Sequence, residues 1–120
     1  MKRRFRLTKS TDFKRVRRMG KSYAHPLLVL IAHPNDLDRS RFGVAAGRSL
    51  GKAVQRNRAK RRIREALRPL IPGVEPGWDI IILARGKLLA ASFHHCQEAL
   101  KDLLRRARLL KDPYDDGIPS

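Results

Sequence analysis

The segment Lys52–Arg68 (KAVQRNRAKRRIREALR) concentrates the residues of this chain that are best suited to bind an anion. Eight of its seventeen residues are Lys or Arg, and Glu65 is its only acid. Six of the eight are arginines, whose planar guanidinium groups form paired hydrogen bonds with phosphate oxygens. Solvated charge runs normally mix both signs, so this one-sided segment predicts a binding surface for a polyanion.

A helix is the element that would position these cations. With about 100° per residue, an apolar stripe lies within about 60° of Ile63 and comprises Ala59, Ala66, Leu67 and Leu70. The opposite side holds Arg58, Arg61, Glu65 and Arg68, and the flanks hold Asn57, Arg62 and Arg64. Arg56 and Lys60 fall nearer the stripe, where their stems can cover apolar surface while the charged heads reach water. Only Glu65 has the spacing for ion pairs, with Arg61 and Arg68, so most of the charge is left for an external partner.

Catalysis or metal binding by the protein itself is not indicated by the other side chains. The acids are few and scattered, and no carboxylate pair for metal-assisted hydrolysis stands out. The adjacent ligands of His94-His95-Cys96 would point about 100° apart on a helix, and no second cluster completes a tetrahedral zinc site. We therefore predict that Cys96 is a core residue. Phe13 is either a core residue or a platform on which a base stacks.

The overall composition indicates a nucleic-acid-binding protein. The 120 residues carry a formal net charge of +17, which makes nucleic acid the first expected partner and an anionic membrane surface the second. A hydrophobic content of 42% is enough for one modest core. The single cysteine favours a reducing, cytoplasmic location, and the longest apolar run, Leu27–Ala32, is far too short to span a bilayer.

The pattern along the chain predicts a single α+β domain over residues 1–110, followed by a flexible acidic tail over 111–120. We expect helices over Thr11–Met19, capped by Ser10 and ending at Gly20, over the basic segment, and after the N-cap Ser92. The last helix would bury one face, made up of Phe93, Cys96, Leu100, Leu103, Leu104 and Ala107.

Strands are predicted between these helices. Leu27–His33 and Trp78–Ala84 are apolar, β-rich runs. Arg41–Gly47 alternates, so we expect it to pair back as a second strand, and a further short strand is expected around Lys21–Tyr23.

The order of residues around the basic segment resembles the signature of the protein subunit of bacterial ribonuclease P. The stretch GKAVQRNRAKRRIRE, starting at Gly51, contains the Arg-Asn-Arg motif (Arg56–Arg58) and the basic helix that follows it. The opening RLTKSTDFKRVRRMGKS, the strand and loop RFGVAAGRSLG and the strand DIIILARG are also similar to that family. The resemblance covers about residues 4–108, nearly the whole chain.

The resemblance implies a central, mostly four-stranded sheet with three helices in α-β-β-β-α-β-α order, containing a left-handed crossover. It implies a subunit of an endoribonuclease that removes the 5′ leader of precursor tRNA, with Mg²⁺-dependent chemistry carried by an RNA subunit and neither a metal nor a small-molecule substrate bound by the protein. The residues it places against the RNA subunit are Arg48, Lys52, Arg56, Asn57, Arg58, Lys60, Arg61, Arg64 and Arg68. Phe13 and Arg17 would contact the leader in a cleft between the first helix and the sheet. Family members often have an aromatic residue where this chain has Arg17, so we expect a more electrostatic leader contact here.

Three other functions are compatible with the charge. A ribosomal or RNA-assembly protein would bind structured RNA without affecting precursor tRNA cleavage. A peripheral membrane protein would bind anionic vesicles, although the basic segment lacks interfacial aromatic residues. A protein-only nuclease would cut precursor tRNA with no RNA subunit present.

Overall fold

The protein is an α+β domain with three helices and four strands, described by a computed structural model over residues 2–111. The helices are α1 (Ser10–Met19), α2 (Ala53–Leu67) and α3 (Phe93–Arg106); the strands are β1 (Lys21–Ala24), β2 (Leu28–Pro34), β3 (Arg41–Ala46) and β4 (Trp78–Ala84). Their order along the chain is α-β-β-β-α-β-α, which confirms the predicted fold class. Short 3₁₀ turns occupy Arg3–Phe5, Arg48–Leu50, Arg68–Gly73 and Gly86–Ala90. Apart from Lys111, the predicted acidic tail lies outside the described residues.

The four strands form one mixed sheet in the order β1-β2-β4-β3. β2 pairs antiparallel with both β1 and β4, whereas β3 pairs parallel with β4 and is joined to it through α2. The prediction that β3 pairs back on the preceding strand is therefore wrong. β4 is buried along nearly its whole length, and a strand covered on both faces belongs in the interior of a sheet, between two neighbours. The left hand of the β3–α2–β4 crossover stays a prediction from the resemblance.

The two faces of the sheet are covered unequally. α2 and α3 pack on one face and bury the larger core, which includes Leu30, Phe42, Ile80, Ile82, Ile63, Leu67, Leu100 and Leu104. α1 packs on the other face, where Val16 meets Ile31 and Ile81 in a smaller core. Val29 and Leu83 stay half-buried beside that smaller core. α1 thus covers only part of its face, and the sheet beside it is accessible.

The predicted N-cap is confirmed at α3 and is wrong at α1. Ser92 caps α3, since its Oγ accepts a hydrogen bond from the His95 amide at 3.1 Å. Ser10 is the first residue of α1 instead of its cap; Lys9 occupies the cap position, and no side chain caps this end. α1 ends at Met19, and Gly20 is the cap residue that follows. A Cβ at Gly20 would come within 2.9 Å of the Ala32 carbonyl oxygen, so this glycine allows close packing against β2.

Most of the predicted face of α3 is in the core. Cys96, Leu100, Leu103 and Leu104 are fully buried, and Ala107 is half-buried. Phe93 is 45% exposed, because it lies in the first turn of the helix, so its predicted burial is wrong.

Candidate nucleic-acid interface

The exposed side of α2 is the strongest candidate for binding an anion. Its five residues Asn57, Arg58, Arg61, Arg64 and Arg68 are called the basic face below. Four of the five are exposed, and Arg64 is half-buried. On the opposite side, the stripe Ala59, Ile63, Ala66 and Leu67 has no exposed surface. Helical periodicity therefore predicted correctly which side of this helix faces the solvent.

The positive charge of the basic face is not neutralised within the described part of the chain. Glu65 is exposed, and no ion pair within 4.0 Å joins it to Arg61 or Arg68 among residues 2–111. The two ion pairs that helical spacing allows are therefore not formed in this part of the chain. An external anion would supply the charge that these side chains lack.

The N-terminal segment adds an arginine to this surface. Arg6 forms a parallel bridge with Phe42, and the Leu7 amide donates to the Phe42 carbonyl at 2.8 Å. This pairing along β3 places Arg6 beside α2, in a shallow depression of about 370 Å³ that is lined by Arg6, Asn57, Lys60, Arg61, Arg64, Glu65 and Arg68. Arg6 was not among the contacts predicted from the sequence. The available signal was the apolar Leu7, which is buried and anchors the segment.

The remaining predicted contacts lie around the N-terminal end of α2. Arg48 is exposed in the turn before the helix, and Lys52 is exposed at the cap position, where its amide donates to Gln55 Oε1 at 2.6 Å. Arg56 and Lys60 are half-buried, as their positions near the apolar stripe predicted. Arg56 Nε is buried and has no hydrogen-bond partner in the described residues, so only the outer part of that guanidinium faces solvent.

Arg62 differs from its neighbours because it is tied to the protein. Its Nη1 donates to the Ala91 carbonyl at 2.6 Å and to the Leu88 carbonyl at 3.3 Å. These bonds fasten α2 to the turn at Gly86–Ala90. Arg62 is therefore a structural residue within the basic segment.

Phe13 and Arg17 lie on α1, on the other side of the sheet. Phe13 is half-buried and its ring lies over Gly43, so closely that a Cβ at Gly43 would overlap it. Arg17, one helical turn later, is exposed. Phe13 packs against the smaller core and keeps part of its ring accessible. Its role as a platform for a base stays a prediction. The accessible sheet residues Val29 and Leu83 complete this second surface, which we call the α1 surface.

A buried ion-pair network holds α1 against the sheet. The Asp79 side chain is fully buried; its Oδ1 accepts from Arg41 Nε and Asn35 Nδ2, both at 2.9 Å, and its Oδ2 accepts from Arg41 Nη2 at 2.8 Å and Arg15 Nη2 at 3.0 Å. Arg15 and Arg41 also approach Asp12, at 3.2 and 3.6 Å. Burial by itself raises the pKa of the Asp79 carboxyl, but hydrogen bonds from Arg41, Asn35 and Arg15 outweigh it and hold that pKa below its ordinary value. The network links α1, β3 and β4 and so sets the position of Phe13.

The residues present do not assemble a metal site in the part of the chain that the structure describes. No group of three or more His, Cys, Asp or Glu side chains lies close enough to hold an ion. His94 and His95 are exposed, whereas Cys96 is fully buried, and burial raises the pKa of its thiol to about 11. A thiol with that pKa is protonated at neutral pH and is a poor metal ligand.

Comparison with known proteins decides the family. The model of the family described as Ribonuclease P matches residues 1–108. The ribonuclease P protein component of Herpetosiphon aurantiacus is 43% identical over 112 residues, which cover 93% of this chain and 91% of that protein. The chain belongs to the ribonuclease P protein family.

Solved structures of ribonuclease P proteins share this fold. The Staphylococcus aureus protein has a TM-score of 0.80 at 30% identity, and the match covers 89% of this chain and 98% of that one. The Thermotoga maritima protein has a TM-score of 0.76 at 32% identity, with 84% and 96% covered. The chain is thus a protein component of ribonuclease P, the endoribonuclease that processes the 5′ end of tRNA, and its partner in the holoenzyme is an RNA. In residues 2–111, none of the helices has the length and apolar character required to cross a bilayer.

Proposed function

We propose that this ribonuclease P protein binds the RNA subunit of the holoenzyme through the basic face of α2. The observation that carries the proposal is the contrast between the two sides of one helix: a fully buried apolar stripe and, opposite it, arginines that form no ion pair within residues 2–111. The stripe fixes the orientation of α2, so the basic face is held rigidly toward solvent. Arg48, Lys52, Lys60 and the outer part of Arg56 extend the positive surface at its edges.

The α1 surface is proposed to contact the 5′ leader of precursor tRNA. Phe13 offers part of an aromatic ring against which an unpaired base can stack, and Arg17 offers a charge for the adjoining phosphate. The Asp79 network keeps α1 in register with the sheet, so that Phe13, Val29 and Leu83 form one surface. Single-stranded RNA fits such a surface because its bases are free to stack on side chains.

The hydrolytic chemistry is assigned to the RNA subunit with Mg²⁺. Mg²⁺ prefers oxygen ligands in octahedral geometry, and Asp79, which is the buried carboxylate within residues 2–111, is already occupied by two arginines. The protein would supply binding and orientation, and we place the assembly in the cytoplasm, where a single cysteine remains reduced.

Cleavage of a precursor tRNA at low Mg²⁺ by a bacterial ribonuclease P RNA, with and without this protein, tests the proposal. We expect the protein to stimulate cleavage, the protein alone to be inactive, and an Arg58→Ala/Arg61→Ala variant to lose most of the stimulation. The matched control, Lys87→Ala/Arg105→Ala, removes the same charge from exposed positions outside the basic face and should behave as the wild type. Equal loss in both variants would show that net charge, and not this face, binds the RNA.

A further inference from the structure

A pocket of about 820 Å³ lies next to the basic face and shares Arg68 with it, but it uses none of the other residues of the two proposed RNA surfaces. It is bounded by the N-terminal turn at Arg3–Phe5, the loop between β2 and β3, and the turn at Arg68–Gly73. Arg68 lines both this pocket and the depression on the basic face. An RNA strand that follows α2 to its C-terminal end would therefore arrive at the mouth of the pocket.

The interior of the pocket is apolar and aromatic. Its lining includes the half-buried ring of Phe5, together with Ile71, Val74 and two prolines. Ser40, which also lines it, has no free hydroxyl donor to offer, because its hydroxyl donates to the Glu75 carbonyl and also accepts from the Trp78 amide at 3.0 Å. The interior thus favours the flat face of a ligand over its hydrogen-bonding edge.

The rim of the pocket is strongly cationic. Lys2, Arg4, Arg39 and Arg68 surround it, with Asp38 as the acid among the lining residues. The Arg4 guanidinium lies 5.4 Å from the centroid of the Phe5 ring, and the Arg4 carbonyl accepts a hydrogen bond from Arg39 Nε at 2.9 Å. This bond connects the N-terminal segment to the β2–β3 loop and so holds two walls of the pocket together.

We infer that this pocket receives one unstacked nucleotide of the RNA that lies on the basic face, with its base against Phe5 and its phosphates near Arg4 and Arg68. The inference rests on the proposed function, since it requires RNA on α2. The apolar interior and the cationic rim together indicate a nucleotide. An inorganic anion would make no favourable contact with the aromatic ring, and an apolar ligand would leave the four cations without a partner. Contact with the base face alone makes the site tolerant of base identity.

Affinity for a bacterial ribonuclease P RNA, measured across a series of salt concentrations, tests the inference with four proteins. Phe5→Leu keeps an apolar side chain but removes the ring, Phe5→Tyr keeps the ring, and Phe93→Leu removes an exposed ring elsewhere as the matched control. Stacking on a base is worth about 1–3 kcal/mol, so Phe5→Leu should weaken binding by about 5- to 150-fold. Its salt slope should equal that of the wild type, because no phosphate contact is lost. Phe5→Tyr and Phe93→Leu should both bind as the wild type does.

The outcomes separate this inference from the proposed function. Wild-type affinity in Phe5→Leu, together with a loss in Arg58→Ala/Arg61→Ala, would overturn the pocket and leave the proposed function standing. An equal loss in Phe93→Leu, or a lower salt slope in Phe5→Leu, would also overturn the pocket. If the wild-type protein fails to bind the RNA at low salt, both proposals are wrong. Unfolding curves of all four proteins confirm that each is folded at the temperature of the binding assay.

Discussion

At the scale of single residues, the arginines of this protein fall into two groups that the sequence alone does not separate. Arg15, Arg41 and Arg62 donate to carboxylates or backbone carbonyls of the protein. Arg58 and Arg61 have no such partner within the described residues and are exposed. The first group stabilises the fold, and the second is available to a phosphate. Arg61 and Arg62 are adjacent, so they allow a direct comparison of the two roles.

We predict that Arg61→Ala changes RNA binding and that Arg62→Ala changes the stability of the fold. Arg61→Ala should lower the slope of log affinity for the RNA against log salt by about 0.7–0.9, the value for one phosphate contact, and leave the free energy of unfolding within about 0.5 kcal/mol of wild type. Arg62→Ala should lower the free energy of unfolding by about 1–3 kcal/mol, because it removes charged hydrogen bonds to Ala91 and Leu88. Salt-dependent binding and chemical denaturation measure the two quantities. If Arg61→Ala unfolds the protein, its assignment to the exposed side is wrong.

The Asp79 network makes the free energy of unfolding depend on pH in the acidic range. The pKa of Asp79 is lower in the folded protein than its ordinary value of 3.8, so its stabilisation is fully present above that value and is lost as the pH falls through the lowered pKa. We predict that Asp79→Asn lowers the free energy of unfolding at pH 7 by about 3 kcal/mol, because Arg15 and Arg41 lose a buried carboxylate. The variant should lose less further stability than the wild type between about pH 5 and pH 2. Parallel acid unfolding curves for the two proteins would contradict the role given to this carboxylate.

At the scale of elements, sequence periodicity correctly predicted which side of a helix is buried, but it did not predict which strands are neighbours in the sheet. The 3.6-residue repeat correctly placed Ile63 in the core and Arg61 in solvent, and the apolar run Trp78–Ala84 is β4 residue for residue. Alternation along Arg41–Gly47 revealed a strand, but it carries no information about which strand lies beside it. The neighbour of β3 is β4, which follows in the chain only after α2.

Contacts between residues distant in the chain account for the other differences. Arg15 and Asp79 are 64 positions apart, and nothing local to either residue indicates their ion pair. The position of Arg6 beside α2 depends in the same way on the bridge to Phe42. Local pattern therefore identified the basic face, whereas the support for the α1 surface and the pocket beside Arg68 required the tertiary structure.

The close packing of α1 on β3 leads to a prediction about leader binding. Gly43→Ala would force the new methyl group into the Phe13 ring and should displace that ring, at a cost in the free energy of unfolding of about 1–3 kcal/mol. Stimulation of cleavage should fall for a precursor with a long leader and stay unchanged for one with a single leader nucleotide, because the basic face is untouched. Gly47→Ala is the matched control, since a Cβ there meets no atom within 4 Å. Equal losses on both precursors would show that Phe13 acts on assembly and not on the leader.

At the scale of the whole molecule, the sheet separates the two proposed RNA surfaces. α2 with its basic face packs on one side, and α1 with Phe13 packs on the other. The Asp79 network and the continuous β-sheet connect them as one rigid unit. A protein of this shape can hold the RNA subunit on one side while a second strand lies on the opposite side. Because the leader-binding proposal depends on this separation, variants of one surface should leave binding at the other intact.

The net charge of +17 is a property of the entire chain, and it should make the free protein less stable than its core alone would suggest. We predict that the free energy of unfolding at pH 7 rises as NaCl is raised from low to physiological concentration, because screening reduces repulsion among the unpaired cations. Na₂SO₄ at equal ionic strength should stabilise more, since a divalent anion can bind between neighbouring arginines of the basic face. The RNA subunit, in turn, should add about 2.7 kcal/mol at a concentration 100 times its dissociation constant. Denaturation curves in the two salts measure these effects, and stability that falls with NaCl would mean that the ion pairs around Asp79 outweigh repulsion across the surface.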